Sequence, residues 1–229
     1  MDQKLQYLIN EKWTGPVLDL VMVTLSSLDF WMPVLVIVGI WVMVAGRFRA
    51  RVLLLTLAVT IGLTDGVVVN SLKKTIERPR PRDAQAIRTV TFAKIKPQLL
   101  APFHPLVIKT SKPQNPPRDG RSMPSGHASN NFAVATVIFL FYRRRGWLLY
   151  LVAAGVSYSR VYTGAHWPSD ILVSIPIGCA MGYACFRMME ALWQRYGSRR
   201  APALFAAHPT LRPQPPSTAN ASCCKGVLP

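Results

Sequence analysis

What most limits the folds open to this chain is the crowding of its apolar residues into five runs, at positions 31–46, 52–71, 128–142, 147–162 and 171–193. A membrane-crossing helix needs roughly 20 mostly apolar residues, or about 17 at the short end. The shorter runs reach that length by borrowing flanking residues such as Asp29-Phe30 or Ser125 to His127. Any single run could be a buried core helix. Five of them in 229 residues, with 50% hydrophobic residues, 16% charged ones and mean hydropathy +0.22, leave too little polar sequence to cover them. The fold expected is therefore all-α: an integral-membrane helical bundle of about five transmembrane helices. Ahead of the first run, Leu18, Val21, Met22, Leu25 and Leu28 recur with a helical period around Asp19, Thr24 and Ser26. They predict an amphipathic helix over Val17–Leu28 lying at the membrane interface, the alternative being a sixth span fused to the first through Asp29. The first dozen residues carry Asp2, Lys4, Asn10, Glu11 and Lys12 and no central apolar region, so the first run is read as an uncleaved anchor.

A net charge of +17 raises nucleic acid as a partner, but the basic residues have a simpler explanation. Arg47, Arg49 and Arg51 separate the first two runs, Arg143 to Arg145 separate the third and fourth, and Arg195, Arg199 and Arg200 follow the last, as expected of cytoplasmic ends. No basic and aromatic interleaving accompanies them, and no nucleic-acid partner is expected. Cys179 and Cys185 fall in the last run and Cys223-Cys224 near the C-terminus, where the pair could accept a lipid. They suggest neither a disulfide framework nor a metal site. From Gly197 onward the composition turns to Pro, Ala, Ser and Arg, which predicts a membrane-embedded domain over 1–196 and a disordered cytoplasmic tail over 197–229. The connection 81–124 is long, and its Phe92, Ile95, Leu99, Leu100, Phe103 and Leu106 argue for partial order, as in a lid.

Three short stretches at the ends of these runs carry groups suited to holding or attacking a phosphate. The first reads Lys73, six residues, Arg80-Pro81; the second is Pro124-Ser125-Gly126-His127; the third reads Ser159-Arg160, five residues, His166, three residues, Asp170. An odd number of crossings separates successive stretches, so all three share one membrane face. Lys73 and Arg80, two helical turns apart, are expected on one face as the second span runs out at Pro79 and Pro81, whereas Lys74, Arg78 and Arg82 read as interfacial anchors. Ser125 and Gly126 precede a helix whose N-terminus offers N–H groups to an anion, although Ser-Gly alone is more often an ordinary cap. Asp170, four residues after His166, can accept an imidazole N–H and leave the other nitrogen free to attack, or can serve only its own helix N-terminus. Asp65 and Asn70 are polar at membrane depth, for which an interhelical hydrogen bond is the simpler account.

Together the three stretches resemble the signature of the type 2 phosphatidic acid phosphatase family, membrane relatives of the vanadium haloperoxidases. The resemblance implies a phosphatase in which His166, oriented by Asp170, attacks phosphorus to form a phosphohistidine and His127 protonates the leaving oxygen. It also implies that Lys73, Arg80, Ser125, Gly126 and Arg160 bind the phosphate oxygens, with no metal or cofactor. The substrate class is a lipid phosphate or diphosphate, with undecaprenyl diphosphate, phosphatidic acid, phosphatidylglycerophosphate and lipid A 1-phosphate all suitable. No obligatory protein partner is implied beyond the membrane lipids. A lipid phosphotransferase and a non-catalytic phospholipid-binding protein are the alternatives. The expected location is a bacterial cytoplasmic membrane with the site on its extracytoplasmic face.

Overall fold

The computed structural model describes residues 1–113, 121–143 and 146–213. Helix α1 (Asp2–Tyr7) runs into a π-helical turn at Leu8–Lys12 and is followed by α2 (Pro16–Ser26) and α3 (Leu28–Ala45). Helix α4 (Phe48–Leu63) continues through a second π-helical turn at Thr64–Val69 into α5 (Asn70–Ile76). After the short α6 (Pro81–Ala84), strands β1 (Arg88–Thr91) and β2 (Val107–Thr110) pair antiparallel around a 3₁₀ turn at Gln98–Phe103. Helices α7 (Gly126–Tyr142), α8 (Leu148–Tyr162), α9 (Pro168–Arg200) and α10 (Pro202–Ala207) complete the chain. Proline at the first helical position of α2, α6, α9 and α10 has no N–H to lose there and presets the helical φ.

Each of the five apolar runs is helical, and α3 and α7 extend backward over Asp29-Phe30 and Gly126-His127, where short runs needed length. Three stretches, Leu28–Ala45, Phe48–Ala84 and Pro168–Arg200, are long and apolar enough to cross a membrane, while α7 and α8 have 17 and 15 residues. Helix α3 has no buried residue: Ile37, Trp41 and Val44 are 67%, 68% and 74% exposed. An apolar helix bare on every side in water is a helix whose solvent is lipid. Helix α7 is the centre, packed on α4, α8 and α9.

The α7–α9 contact is the tightest, and glycine makes it so. A Cβ on Gly178 would stand 2.3 Å from the Ser129 carbonyl oxygen, and one on Gly182 would stand 2.5 Å from that of Ala133. Small residues four apart let two helix backbones approach in the membrane, where dispersion and close hydrogen bonds replace the hydrophobic effect. At one end of the bundle Val137, Phe141, Phe186 and Leu211 form a core; at the other Ile9, Ala128, Val161, Tyr162 and Ile171 form a second.

One sequence expectation is corrected, and two further segments carry structure that the sequence reading did not specify. Residues from Gly197 to Arg212 are not a disordered tail: α9 runs to Arg200, α10 folds back, Trp193 Nε1 donates to the His208 carbonyl at 2.8 Å, and Leu211 is fully buried. Glu190 holds Thr210 Oγ1 at 2.7 Å and the Leu211 N–H at 2.9 Å, so polar anchoring supplies the order that composition argued against. Residues 214–229, with Cys223 and Cys224, lie outside the described residues, as do residues 114–120 of the connection and Arg144-Arg145. The long connection holds a β-ribbon that the apolar pattern did not reveal. The N-terminal dozen, read only as lacking a signal, instead caps α8: Gln6 Nε2 donates to Val161 O at 2.9 Å, and Asn10 Nδ2 donates to Tyr162 O at 2.6 Å.

Candidate active site

The three motif stretches meet at one end of the bundle, where α5 ends, α7 begins, α8 ends and α9 begins. The first correction concerns Lys73 and Arg80. The helix stops at Ile76 with Glu77 in the left-handed region at φ 46, and Arg80 is the N-cap of α6, so the two cations do not lie on one continuous helix. They converge through the turn instead: the charge of Arg80 acts on Lys73, as do those of Arg160 and Asp65. The charges of Arg160, Lys73 and Arg80, and the His166 ring, all act on His127 in the first turn of α7.

Gly126 sits where the backbone comes closest to this group. A Cβ there would meet Asp65 Oδ1 at 2.7 Å and Lys73 Nζ at 3.6 Å. Asp65 projects from the π-helical turn at Thr64–Val69, a geometry common at functional positions. It thus stands beside Lys73 and the α7 N-terminus, where the sequence suggested an interhelical hydrogen bond. Ser125 is the N-cap of α7 and fully buried. Its hydroxyl accepts the Ala128 N–H at 3.5 Å, and its own N–H donates to Ser174 Oγ at 2.8 Å. Arg160, at the end of α8, donates from Nη1 to the hydroxyl and, at 3.2 Å, to the carbonyl of Ser26.

His166 lies in the α8–α9 connection, 3% exposed. Its Nδ1 is 2.6 Å from the Ser122 carbonyl oxygen and 3.7 Å from Asp170 Oδ2. The expectation that Asp170 takes the imidazole N–H is therefore corrected, because a backbone carbonyl occupies that position. Asp170 is fully buried and held from three other directions: by Arg78 Nη1 at 2.6 Å, by Ser122 Oγ at 2.5 Å and by the Trp167 N–H at 2.9 Å. It serves its own helix N-terminus as well as the histidine corner. Burial pushes the His166 imidazole down to about 4, against the pull of Asp170 and with the help of Arg160.

Arg78 is the residue most misjudged from sequence, since it is no interfacial anchor. Besides Asp170 it binds Asp2 Oδ2 at 2.7 Å and Ser169 Oγ at 2.7 Å, and its guanidinium lies 5.3 Å from the Trp167 ring centroid. Asp2 also accepts the Ser169 N–H at 3.2 Å. Burial alone would raise the Asp2 carboxyl, but Arg78 and Ser169 hold it below its usual value. Backbone bonds tie the segment down, with Ser122 N–H donating to Arg78 O at 2.9 Å and Trp167 Nε1 to Pro79 O at 2.9 Å. A second buried pair braces the same end, Arg88 with Asp19 at 2.5 Å.

The relatives of the chain bear on this arrangement. The family model of the PAP2 superfamily matches residues 49–194. A lipid A 4'-phosphatase of Bacteroides thetaiotaomicron is 32% identical over 126 residues, a match covering 48% of this chain, which spans 55% of that protein's length. The undecaprenyl-diphosphatase BcrC of Bacillus subtilis is 25% identical over 177 residues, 77% of each chain. Among solved structures, the crystal structure of Aquifex aeolicus LpxE superposes with TM-score 0.56 at 27% identity, covering 81% of this chain and 94% of that one. A transmembrane PAP2-type phosphatidylglycerolphosphate phosphatase from Bacillus subtilis shares the fold, with TM-score 0.50 at 23% identity over 85% of this chain and 88% of that one. With its apolar helices, its transmembrane structural neighbours and a family match over well more than half its length, the chain is an integral membrane member of the PAP2 superfamily.

Proposed function

We propose that this protein is a membrane lipid phosphatase that removes a terminal phosphate from a lipid phosphate or diphosphate through a phosphohistidine at His166. The observation that carries the reading is the 2.6 Å contact between His166 Nδ1 and the Ser122 carbonyl. A carbonyl oxygen only accepts, so Nδ1 holds the hydrogen. In the neutral ring that burial favours, Nε2 then keeps its lone pair. In the first half-reaction the Nε2–P bond forms as the P–O bond to the lipid breaks, and the leaving oxygen takes a proton from His127. In the second, water forms a new O–P bond, the N–P bond breaks, and a water proton returns to His127, giving inorganic phosphate. Lys73, Arg80, Arg160 and the first turn of α7 at Ser125-Gly126 would stabilise the charge spread over the phosphoryl oxygens. Asp170 acts by fixing Ser122 and the start of α9.

Purified protein in detergent should release phosphate from at least one of undecaprenyl diphosphate, phosphatidic acid, phosphatidylglycerophosphate and lipid A 1-phosphate. His166→Ala should lose that activity and the acid-labile phosphate trapped on the protein. Turnover by His166→Ala at the native rate would end the reading. We place the site on the outer face of a bacterial cytoplasmic membrane, because Arg47, Arg49 and Arg51 cluster at the opposite end of the bundle, where Arg49 reaches the Leu211 carbonyl at 2.5 Å. A cysteine at Lys109, in a background without native cysteines, should react with an impermeant maleimide in intact cells. Reaction only after lysis would turn the site to the cytoplasm.

A further inference from the structure

Beside the proposed phosphate cradle lies an open cavity of about 250 Å³, lined by the α2–α3 junction, β1 and the end of α8. Arg160, one of the cradle cations, is part of its wall, together with Arg82, Lys94, Ser26, Thr89 and Thr91. The one carboxylate there is Asp29, and among the described residues neither Arg82 nor Lys94 forms an ion pair. The charges of Arg80 and Arg82 both reach Arg160, whose buried Nε finds no acceptor among the described residues. Three cations gathered around a single carboxylate repel one another, and a buried donor without an acceptor costs stability, so the wall is complementary to an anion. This anion would be separate from the phosphoryl group under attack, because the cavity is walled by α2, α3 and β1, and neither His127 nor His166 lines it.

Next to this cavity a second hollow of about 540 Å³ has an apolar wall that includes Leu20, Leu25, Phe30, Leu99 and Phe103. Phe30 on its wall and Phe92 on the wall of the cationic cavity have ring centroids 6.4 Å apart, so the two spaces share an aromatic partition. Arg160 thus belongs to both the cradle and the cationic compartment, and Phe92 and Phe30 link that compartment to the apolar one.

We infer that Arg82 and Lys94 form a leaving-group subsite that selects lipids whose leaving group carries its own anion next to the scissile phosphate, as in a lipid diphosphate. The inference rests on the phosphatase reading above and narrows its substrate. When a lipid diphosphate is cleaved, the departing fragment is a lipid monophosphate whose charge sits against Arg82, Lys94 and Arg160. The hydrocarbon then follows the apolar hollow. Phosphatidic acid departs as a neutral glyceride and gives these cations nothing to bind. The bonds broken and formed are those already described; only the leaving oxygen differs, belonging to a phosphate in one case and an alcohol in the other.

The test compares farnesyl diphosphate with farnesyl monophosphate, two substrates of the same tail, in detergent. The native protein should favour the diphosphate in kcat/KM, and Arg82→Ala and Lys94→Gln should each erode that preference by about tenfold, mainly through KM, since each removes one charge-assisted contact. Arg82→Lys should recover part of it. Inorganic pyrophosphate should inhibit the native protein more strongly than inorganic phosphate, and the variants should lose that difference. Lys94 is exposed, so its replacement leaves the fold in place even if Arg82→Ala does not purify. Equal losses on both substrates, or a native protein indifferent to the second phosphate, would overturn the subsite while leaving the phosphatase intact. Failure to release phosphate from either farnesyl substrate would also overturn the subsite, and only failure on all four lipids named above would strike the phosphatase reading itself.

Discussion

Helix α3 presents apolar side chains on every side and buries none of them, whereas the corner around His166 is built of polar and charged groups and hides nearly all of them. In water both would be unstable. The first is sustained by a lipid solvent that needs no specific partner, so almost any large apolar residue serves at a given position. The second is sustained by directed bonds, in which Asp170, Ser122, His166 and Arg78 each need one particular neighbour. Tolerance of substitution should therefore be opposite in the two regions, and the following changes probe that contrast.

The largest effect is expected at Arg78. Removing one partner of a buried ion pair costs about 3–5 kcal/mol because the other charge is left uncompensated. Arg78→Ala should thus lower the thermal unfolding midpoint in detergent steeply and cut kcat with it. Arg78→Lys, which keeps the charge but cannot reach Asp170, Asp2 and Ser169 together, should fall between. An Arg78→Ala protein as stable as the native one would show that the corner is not held as described.

Next comes the general acid. His127→Ala should reduce turnover of an alkyl phosphate by about 10²–10⁴-fold, and much less for p-nitrophenyl phosphate, whose leaving group needs little protonation. Equal losses on both substrates would remove His127 from the acid role.

A smaller effect is expected from pH. The folded His166 sits at about 4, below the unfolded value of roughly 6.5, so as pH falls the unfolded chain binds the proton first. The stability contributed by keeping the ring neutral is complete above about pH 6.5 and is lost progressively down to about 4. The acid limb of kcat/KM should follow the folded value and bend near 4, measured with a substrate whose own ionisation has been corrected for. A limb centred near 6.5 would mean that His166 is not buried in the working enzyme.

The smallest effect is expected from a conservative apolar change on α3. Ile37→Leu should leave the unfolding midpoint within about 0.5 kcal/mol of native, as for a surface change that touches no special feature. Ile37→Lys, which places a charge in the lipid, should impair insertion by about 2.5–3.5 kcal/mol, read as loss of membrane-integrated protein. If Ile37→Leu were as damaging as Arg78→Ala, α3 would be a packed helix rather than a lipid-facing one.

The amino-acid sequence alone determined which segments form apolar helices, because hydropathy summed over a whole run is a bulk property that no neighbour can reverse. It also determined that Lys73, Ser125, Gly126, Arg160, His166 and Asp170 share one end of the bundle, since that follows from counting crossings. The pairings within the site were decided by tertiary structure. Arg78 looked like its exposed neighbours until the left-handed stop at Glu77 turned the chain toward Asp170 and Asp2. Ser122 left no sign of its part in orienting His166, because it acts there through a backbone carbonyl that every residue possesses. The order of Gly197–Arg212 likewise came from contacts with Phe48 and Arg49 of α4, far away in sequence, and with Glu190 of α9. Hydrophobic partition is additive and local along the chain, while hydrogen bonds and ion pairs depend on distances of a few tenths of an ångström that only the packed fold sets.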